Sequence, residues 1–185
     1  MALTQSTAAA LGKAPSPFSL LGVDGKTWSL GDFASARVLV VVFMCNHCPY
    51  VVAVRQRINA LAAEYGPCGV RLVAINSNDP VKFPDDNFTA MKADAKKFGY
   101  VFPYLFDETQ EVARAYDAVC TPDFFVYGKS ATGFELSYRG RLDDSWKDPT
   151  AVKRRDLALA LEEILAGNPV AGEQIPSMGC SIKWK

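Results

Sequence analysis

The sequence of 185 residues contains one histidine, and its 20 basic and 20 acidic side chains leave no net charge. A chain without excess positive charge lacks the electrostatic footprint of a nucleic-acid-binding protein. The longest apolar run, Val38–Met44, is far shorter than the ~18 residues of a membrane-spanning helix. A metal site built from two imidazoles of one chain is also excluded. We therefore expect neither nucleic acid nor a membrane as a partner.

The N-terminal segment lacks the basic residues that precede the apolar part of a secretory signal, since its first charge is Lys13. We therefore expect the protein to be cytoplasmic, where structural disulfides are rare. The 5 cysteines are then core residues, metal ligands or redox groups. Because five is odd, they cannot all pair within one chain.

The length and the hydrophobic content of 49% suit a single domain over residues 1–185. Residues of about 1–14 are predicted to be a loose N-terminal arm, and residues of about 168–185 a C-terminal tail. Val38–Met44 is apolar throughout, as in a strand buried on both faces. An amphipathic helix over Pro49–Tyr65 and a second apolar strand follow, which together predict a βαβ unit.

The rest of the chain predicts smaller elements. These are a hairpin over Phe18–Leu21 and Lys26–Leu30, a helix from about Phe88 to Phe98, a short helix near Glu108–Tyr116, an antiparallel pair Phe124–Tyr127 and Phe134–Arg139, and a helix from Asp148 that ends at Gly167.

Cys45 and Cys48 enclose Asn46 and His47 at the junction between the buried strand and the helix. A helix N-terminus carries unpaired N–H groups and partial positive charge, which stabilise a thiolate. His47 adds a second cation when it is protonated. Two intervening residues allow the sulfurs to meet, so the pair can switch between dithiol and disulfide.

The same two cysteines have other interpretations. A CxxC pair is half of a zinc site, but tetrahedral zinc needs four ligands, and Cys120 and Cys180 would have to complete it. Two inert core cysteines are also compatible with the frequent burial of this residue. The position between a strand and a helix favours redox chemistry, and we expect no metal.

The dipeptide Thr121-Pro122 stands directly before the apolar strand Phe124–Tyr127. With the strand–CNHC–helix segment and the βαβ unit, it resembles the thioredoxin-like superfamily over about residues 15–167. The resemblance implies an α/β thioredoxin-like fold, with a central mixed β-sheet flanked by helices, an N-terminal β-hairpin and a C-terminal tail. It also implies that Pro122 is cis and packs against the CxxC pair, and that Thr121 offers its backbone to an extended partner segment.

Three stretches are similar to the peroxiredoxin-like branch, which contains the redoxins of the alkyl hydroperoxide reductase/thiol-specific antioxidant group. They read PSPFSLLGVDGKTWSL, FPYLFDETQEVARAY and CTPDFFVYG. Aligning Cys48 with the peroxidatic cysteine of that branch puts Cys45 at the position of the hydroxyl residue that holds peroxide. The arginine that completes a peroxiredoxin site is unassigned, and the candidates are Arg114, Arg139 and Arg141.

Two features depart from thioredoxins. Met44 replaces the tryptophan before the motif, and the strand Val38–Met44 carries no carboxylate. We therefore expect no internal base on that strand to assist the second thiol.

The resemblance also implies roles for the site residues. The first cysteine of such a motif is normally exposed, so Cys45 is expected to attack and Cys48 to resolve. In a peroxidase, Cys48 would attack peroxide and Cys45 would resolve. His47 would tune the redox poise, and Asn46, Thr121 and Pro122 would tune the pair or bind substrate.

The other cysteines receive weaker assignments. Cys68 follows a helix end and is expected to be structural. Cys120 precedes Thr121 and should lie near the CxxC pair, in a packing or a redox role. Cys180 either resolves an oxidised partner chain, as in some peroxiredoxins, or is idle in a tail held by Ile182 and Trp184.

The leading hypothesis is a thiol-disulfide oxidoreductase without a bound cofactor, which acts through a mixed disulfide. Its substrate would be a disulfide-bearing protein or a small thiol compound, and its reductant the thioredoxin or glutathione system. The alternatives are a peroxiredoxin-like thiol peroxidase with a peroxide substrate, and a non-catalytic redox sensor or metal-binding module. Monomer and homodimer both remain open.

Overall fold

The computed structural model describes residues 3–8 and 10–185. In this part of the chain, ten strands follow the order β1 (Leu3–Gln5), β2 (Ser19–Gly22), β3 (Thr27–Ser29), β4 (Val38–Phe43), β5 (Val70–Asn76), β6 (Tyr104–Phe106), β7 (Cys120–Thr121), β8 (Asp123–Lys129), β9 (Phe134–Arg139) and β10 (Met178–Ser181). The α-helices of the same part are α1 (Pro49–Tyr65), α2 (Phe88–Phe98), α3 (Glu111–Ala115) and α4 (Asp156–Ala166).

Seven strands form the central sheet in the order β3-β2-β6-β5-β4-β8-β9. Strands β4, β5 and β6 are parallel, whereas β8 lies antiparallel to β4 and β9 antiparallel to β8. The predicted βαβ unit is β4-α1-β5, and both predicted antiparallel pairs are present. The sheet is mixed and flanked by helices, which confirms the expected architecture.

Strand β4 divides the core into two layers because successive side chains point to opposite faces of a sheet. Val38, Val40 and Val42 belong to the cluster that contains the buried residues of α1 and α4. Leu39, Val41 and Phe43 belong to the cluster that contains Ala113 of α3. All six side chains are buried, as a strand covered on both faces requires.

Helix α1 begins directly after Cys48, which occupies its N-cap, and Pro49 takes the first helical position. A proline is tolerated there because its missing N–H would have no partner within the helix. The buried face of the predicted amphipathic helix is present, and the charged residue Arg55 is buried as well. Its guanidinium lies 2.7 Å from the carboxylate of Asp94 on α2.

The predicted helix start at Asp148 is wrong. Asp148 caps only a single 3-10 turn, Pro149–Ala151, and α4 begins at Asp156. Two hydrogen bonds hold the intervening segment away from helical geometry, since Lys153 N donates to the Asp144 side chain and Asp144 N to Arg154 O. The helix still ends at Gly167, which has a positive φ of 80°.

Both chain ends depart from the expected loose arm and tail. Strand β1 pairs antiparallel with β10, and β10 pairs antiparallel with β7, in a second, three-stranded sheet. Thr7 is also fixed, because its hydroxyl accepts a hydrogen bond from Arg139 at 2.6 Å. The C-terminal strand therefore lies beside Thr121 and its neighbouring proline.

Across residues 3–8 and 10–185 we find no helix that combines the length and the apolar character required to span a bilayer.

Candidate active site

The four residues Cys45, Asn46, His47 and Cys48 connect β4 to α1. Both cysteines are present as thiols, and their residues are only 1% and 0% exposed. The expectation of an exposed Cys45 is therefore wrong. Its cover comes in part from the segment before α2, where the ring of Phe83 stacks on His47 at a centroid distance of 5.4 Å.

The peptide bond between Thr121 and Pro122 is cis, as the resemblance implied. Cys45 Sγ lies 3.6 Å from the Thr121 hydroxyl, and Cys48 Sγ donates to the Thr121 carbonyl at 3.2 Å. The two buried sulfurs thus meet at the cis-proline turn, which is the arrangement that a dithiol/disulfide pair requires.

The surroundings of Cys48 favour its anionic form. The neighbouring Cys45 thiol lowers the pKa of Cys48 most, and the Cys180 thiol and the Val51 N–H act in the same direction, although burial opposes them. The Val51 amide belongs to the first turn of α1, so the unpaired N–H groups of the helix contribute as expected. As a thiol, Cys48 donates to the Thr121 carbonyl.

The surroundings of Cys45 have the opposite effect. Its hydrogen bond to Cys48, its burial and the negative charge of Asp86 all raise the pKa of Cys45. These surroundings favour a negative charge on Cys48 and a proton on Cys45 in the reduced site.

Asp86 lies beside the CxxC segment and is absent from the candidate residues predicted from the sequence. Its side chain is fully buried, and a carboxylate oxygen lies within 4.8 Å of both the Cys45 sulfur and a His47 ring nitrogen. One carboxylate oxygen accepts from Asn46 N at 2.8 Å. The other lies 2.6 Å from His47 Nδ1 and accepts from Asn78 Nδ2 at 2.6 Å. A buried carboxylate thus adjoins the thiols, although β4 carries none.

The sequence contains one indication that Asp86 does more than cap a helix. The stretch Asp85-Asp86-Asn87 precedes α2 and contains three residues of the types that cap helices, but a helix has one N-cap residue. Asn87 takes that place, and its side chain accepts from Ala90 N at 2.9 Å. The capping role of Asn87 leaves Asp86 available to the CxxC segment.

Three donor atoms, from Cys45, His47 and Asp86, lie close enough together to hold a metal ion. They supply three ligands where tetrahedral zinc takes four. The zinc alternative required Cys120 and Cys180 as the remaining ligands, but both of these cysteines make other contacts. Cys180 lies opposite Thr121 in the strand pairing, and Cys120 Sγ lies 3.8 Å from the Pro122 carbonyl oxygen.

The backbone of Thr121 is not available to a partner in this structure, contrary to the resemblance. Cys180 of β10 lies opposite Thr121 in the antiparallel pair. The expected Ile182 anchor is present, because that side chain is buried. A cavity of about 260 Å³ lies next to this strand and is lined by Pro122, Tyr50 and Met178, among others.

The remaining candidates lie in other contacts. Arg139 is bound to Asp123, Arg141 to Asp156, and Arg114 stacks over Trp184. Each of the three peroxiredoxin-type candidates is therefore engaged in a contact of its own. Cys68 is exposed at the other end of α1 from Cys48, which leaves it outside the site.

The fold and the paired thiols opposite a cis-proline define the class of the protein as a thioredoxin-like redox protein. Residues 11–132 match the model of the AhpC/TSA family, so the chain belongs to that family. Both findings confirm the resemblance drawn from the sequence.

Two curated relatives are oxidoreductases of different kinds. Peroxiredoxin Bcp from Xanthomonas campestris pv. campestris is 28% identical over 149 residues, which cover 78% of this chain and 86% of that protein. The thiol-disulfide oxidoreductase ResA from Geobacillus thermodenitrificans is 28% identical over 133 residues, which cover 69% of this chain and 68% of that one.

Solved structures show the same fold. An uncharacterized conserved protein from Geobacillus kaustophilus has 46% identity and a TM-score of 0.93, with 100% of this chain and 97% of that chain covered. A thioredoxin family protein from Chlorobium tepidum, described as a thiol:disulfide interchange protein, has 20% identity and a TM-score of 0.62. It covers 86% of this chain and 99% of its own, and at that identity it supports the fold alone.

Proposed function

We propose that this protein is a thiol-disulfide oxidoreductase in which Cys48 is the attacking thiolate and Cys45 the resolving thiol. The observation that carries this assignment is the placement of the two thiols: Cys48 is the N-cap residue of α1, whereas Cys45 lies within 4.8 Å of the Asp86 carboxylate. The assignment reverses the roles that the resemblance implied, and it places the attacking group at the N-terminus of α1, where an anion is most stable.

The reaction follows the ordinary course of thiol-disulfide exchange. Cys48 S⁻ attacks one sulfur of the substrate disulfide, and the other substrate sulfur leaves as a thiolate. Cys45 then gives up its proton toward the Asp86–His47 pair and attacks the Cys48 sulfur. The second substrate thiolate leaves, the substrate is reduced, and a Cys45–Cys48 disulfide remains.

The proposed partners follow from this chemistry. The oxidised pair needs an external dithiol or thiol, such as the thioredoxin or glutathione system of a reducing compartment like the cytoplasm. Because both sulfurs are buried, a bulky disulfide has to displace part of their cover. The cavity beside Pro122 is the proposed entry. It is lined by Tyr50 of α1 and Met178 of β10, and both of these elements belong to the site.

Trapping of the mixed disulfide tests the roles. With Cys45 and Cys180 both replaced by serine, Cys48 should accumulate a mixed disulfide with glutathione disulfide, because no neighbouring thiol can resolve it. Cys48→Ser should accumulate none on Cys45. Cys68→Ser serves as the matched control, since its thiol is exposed outside the site. Mass spectrometry that finds the adduct on Cys45 in Cys48→Ser would refute the assignment.

Peroxide reduction is the second candidate, because the anion on Cys48 stands at the peroxidatic position of the alignment. The engagement of Arg114 with Trp184, Arg139 with Asp123 and Arg141 with Asp156 weakens this candidate. If it holds, peroxide consumption under single-turnover conditions survives in Cys45→Ser and is lost in Cys48→Ser. Equal loss in both variants would favour disulfide exchange alone.

A further inference from the structure

Strand β10 brings a third thiol to the site. Its residue Cys180 lies opposite Thr121 in the antiparallel pairing, and Ser181 lies opposite Cys120. Cys45, Cys48 and Cys180 all belong to one buried cluster. The C-terminal strand therefore occupies the backbone edge at the cis-proline turn, on the side where the thiols are.

The Cys180 thiol lies beside the sulfur that both proposed reactions use. Cys180 lies opposite Thr121, and the Thr121 carbonyl accepts a hydrogen bond from Cys48 Sγ at 3.2 Å. The Cys45 and Cys180 thiols both lower the pKa of Cys48. Cys48 is therefore the shared member of two thiol pairs.

The close approach of β10 depends on the residue before Cys180. A Cβ atom at Gly179 would lie 1.9 Å from the Thr121 carbonyl oxygen and 2.6 Å from its carbonyl carbon. Any other residue would force the two strands apart, because real Cβ atoms do not approach backbone so closely. Gly179 thus permits the spacing that brings Cys180 to Cys48.

We propose that Cys180 is a third redox thiol, which exchanges with the Cys45–Cys48 disulfide to give a second disulfide, Cys48–Cys180. Cys180 loses its proton and attacks Cys48 Sγ. The Cys48–Cys180 bond forms as the Cys45–Cys48 bond breaks, and Cys45 leaves as a thiolate that takes up a proton. Both oxidising equivalents stay within the three sulfurs, so no further oxidant is required.

The charges around Cys180 change in the direction that the exchange needs. Burial, followed by the hydrogen bond to Cys48 and the charge of Cys48, raises the pKa of Cys180, whereas Lys183 lowers it. When Cys48 is bound in a disulfide, it carries no charge and accepts no thiol proton. The contribution of Lys183 remains, so oxidation of Cys48 favours the Cys180 thiolate.

The second disulfide has a structural consequence. It joins β10 covalently to the first residue before α1, and it returns Cys45 to the thiol form beside Asp86. Cys48 thereby has two resolving partners, one in its own motif and one on the C-terminal strand. The proposal rests on the proposed function, because it needs the Cys45–Cys48 disulfide as its starting point.

Disulfide mapping after mild oxidation tests the proposal in the full chain. Wild-type protein and Cys45→Ser are oxidised with diamide, alkylated in denaturant and digested without reduction. We expect a Cys48–Cys180 peptide in both proteins, complete loss of it in Cys45→Ser/Cys180→Ser, and no change in Cys45→Ser/Cys68→Ser. The last variant is the control for the number of cysteines.

Two results would overturn the inference. One is a Cys45→Ser protein that forms only intermolecular disulfides or higher oxides of Cys48, while its circular dichroism remains that of the wild type. The other is a wild-type protein with the Cys45–Cys48 peptide but no Cys48–Cys180 peptide at any redox poise. If the Cys45–Cys48 peptide is itself absent and glutathione adducts do not form on Cys48, the proposed function fails instead.

Discussion

At the scale of single residues, the site is an asymmetric pair of thiols. Cys48 lies at the N-terminus of α1, whereas Cys45 adjoins the carboxylate of Asp86. Hydrogen bonds to a charged form favour that form, and a nearby like charge disfavours it. The two thiols are therefore separated in acidity by their surroundings, which suits one to attack and the other to hold a proton until it is needed.

Asp86→Asn tests the role of this carboxylate in the second step. Asparagine retains an acceptor for Asn46 N but removes the charge, so the transfer of the Cys45 proton loses its acceptor. We expect the resolution of the mixed disulfide to slow by about 10²-fold, with the first attack by Cys48 unchanged. Stopped-flow measurement of single turnovers separates the two rates.

Asp85→Asn is the matched control, because that side chain is exposed and only its backbone carbonyl contacts Asn46. Equal resolution rates in Asp86→Asn and Asp85→Asn would mean that Asp86 has only a packing role.

At the scale of elements, the site is built where β4, α1, β7 and β10 meet. The N-terminus of α1 supplies amide donors, the turn between β7 and β8 supplies the cis-proline, and β10 covers the edge of β7. The three segments are distant in the sequence, and their meeting depends on the sheet between them.

The sequence could predict the local parts of this arrangement. The apolar run of β4, the 3–4 spacing of α1 and the CxxC pair at their junction are all readable within short windows. Asp86 could not be placed in this way, because it lies 40 residues from the Asn46 amide that it contacts. Strand β10 was missed because its residues MGCS have neither an apolar run nor strong strand preference, and its pairing partners lie far along the chain.

Gly179→Ala tests the contact between β10 and the cis-proline turn. The added methyl group would meet the Thr121 carbonyl, so β10 must shift. We expect a loss of about 1–3 kcal/mol in the free energy of unfolding, as for other overpacked sites, and a weaker Cys48–Cys180 disulfide in the Cys45→Ser background. Urea denaturation and peptide mapping provide the two readouts.

Gly31→Ala is the control, because its nearest neighbour would be the Ser29 hydroxyl at an ordinary 3.5 Å. An unfolding free energy for Gly179→Ala equal to that of Gly31→Ala would contradict the proposed close approach.

At the scale of the whole molecule, a buried ion pair joins the N-terminal segment to the sheet. Arg139 of β9 binds Asp123 of β8 at 2.9 Å, the Thr7 hydroxyl at 2.6 Å and the Asp117 carbonyl at 2.8 Å. Burial raises the pKa of Asp123 to about 6, although Arg139 opposes the shift. The charged form of Asp123 is thus less stable in the folded protein than in the unfolded chain.

The pH dependence of stability follows from that shift. Between pH ~4 and pH ~6, the folded protein holds a proton on Asp123 that the unfolded chain has lost. This contribution to stability therefore decreases as the pH rises. Asp123→Asn removes the titration. We expect the unfolding free energy of the wild type to fall relative to that of Asp123→Asn by up to ~3 kcal/mol over this range.

Urea denaturation at a series of pH values measures this difference. Asp117→Asn is the control, because that carboxylate also faces Arg139 but its side chain is 67% exposed. A difference between wild type and Asp123→Asn that is constant or grows with pH would contradict the assigned direction.

The central claim is that the reduced site holds its negative charge on Cys48, and the ultraviolet absorbance of the thiolate measures that charge without requiring access to the buried sulfur. The difference in absorbance between neutral and acidic pH is compared in wild type, Cys45→Ser and Cys48→Ser. The account predicts a thiolate signal at neutral pH that persists in Cys45→Ser and disappears in Cys48→Ser. A signal that persists in Cys48→Ser and disappears in Cys45→Ser would contradict it.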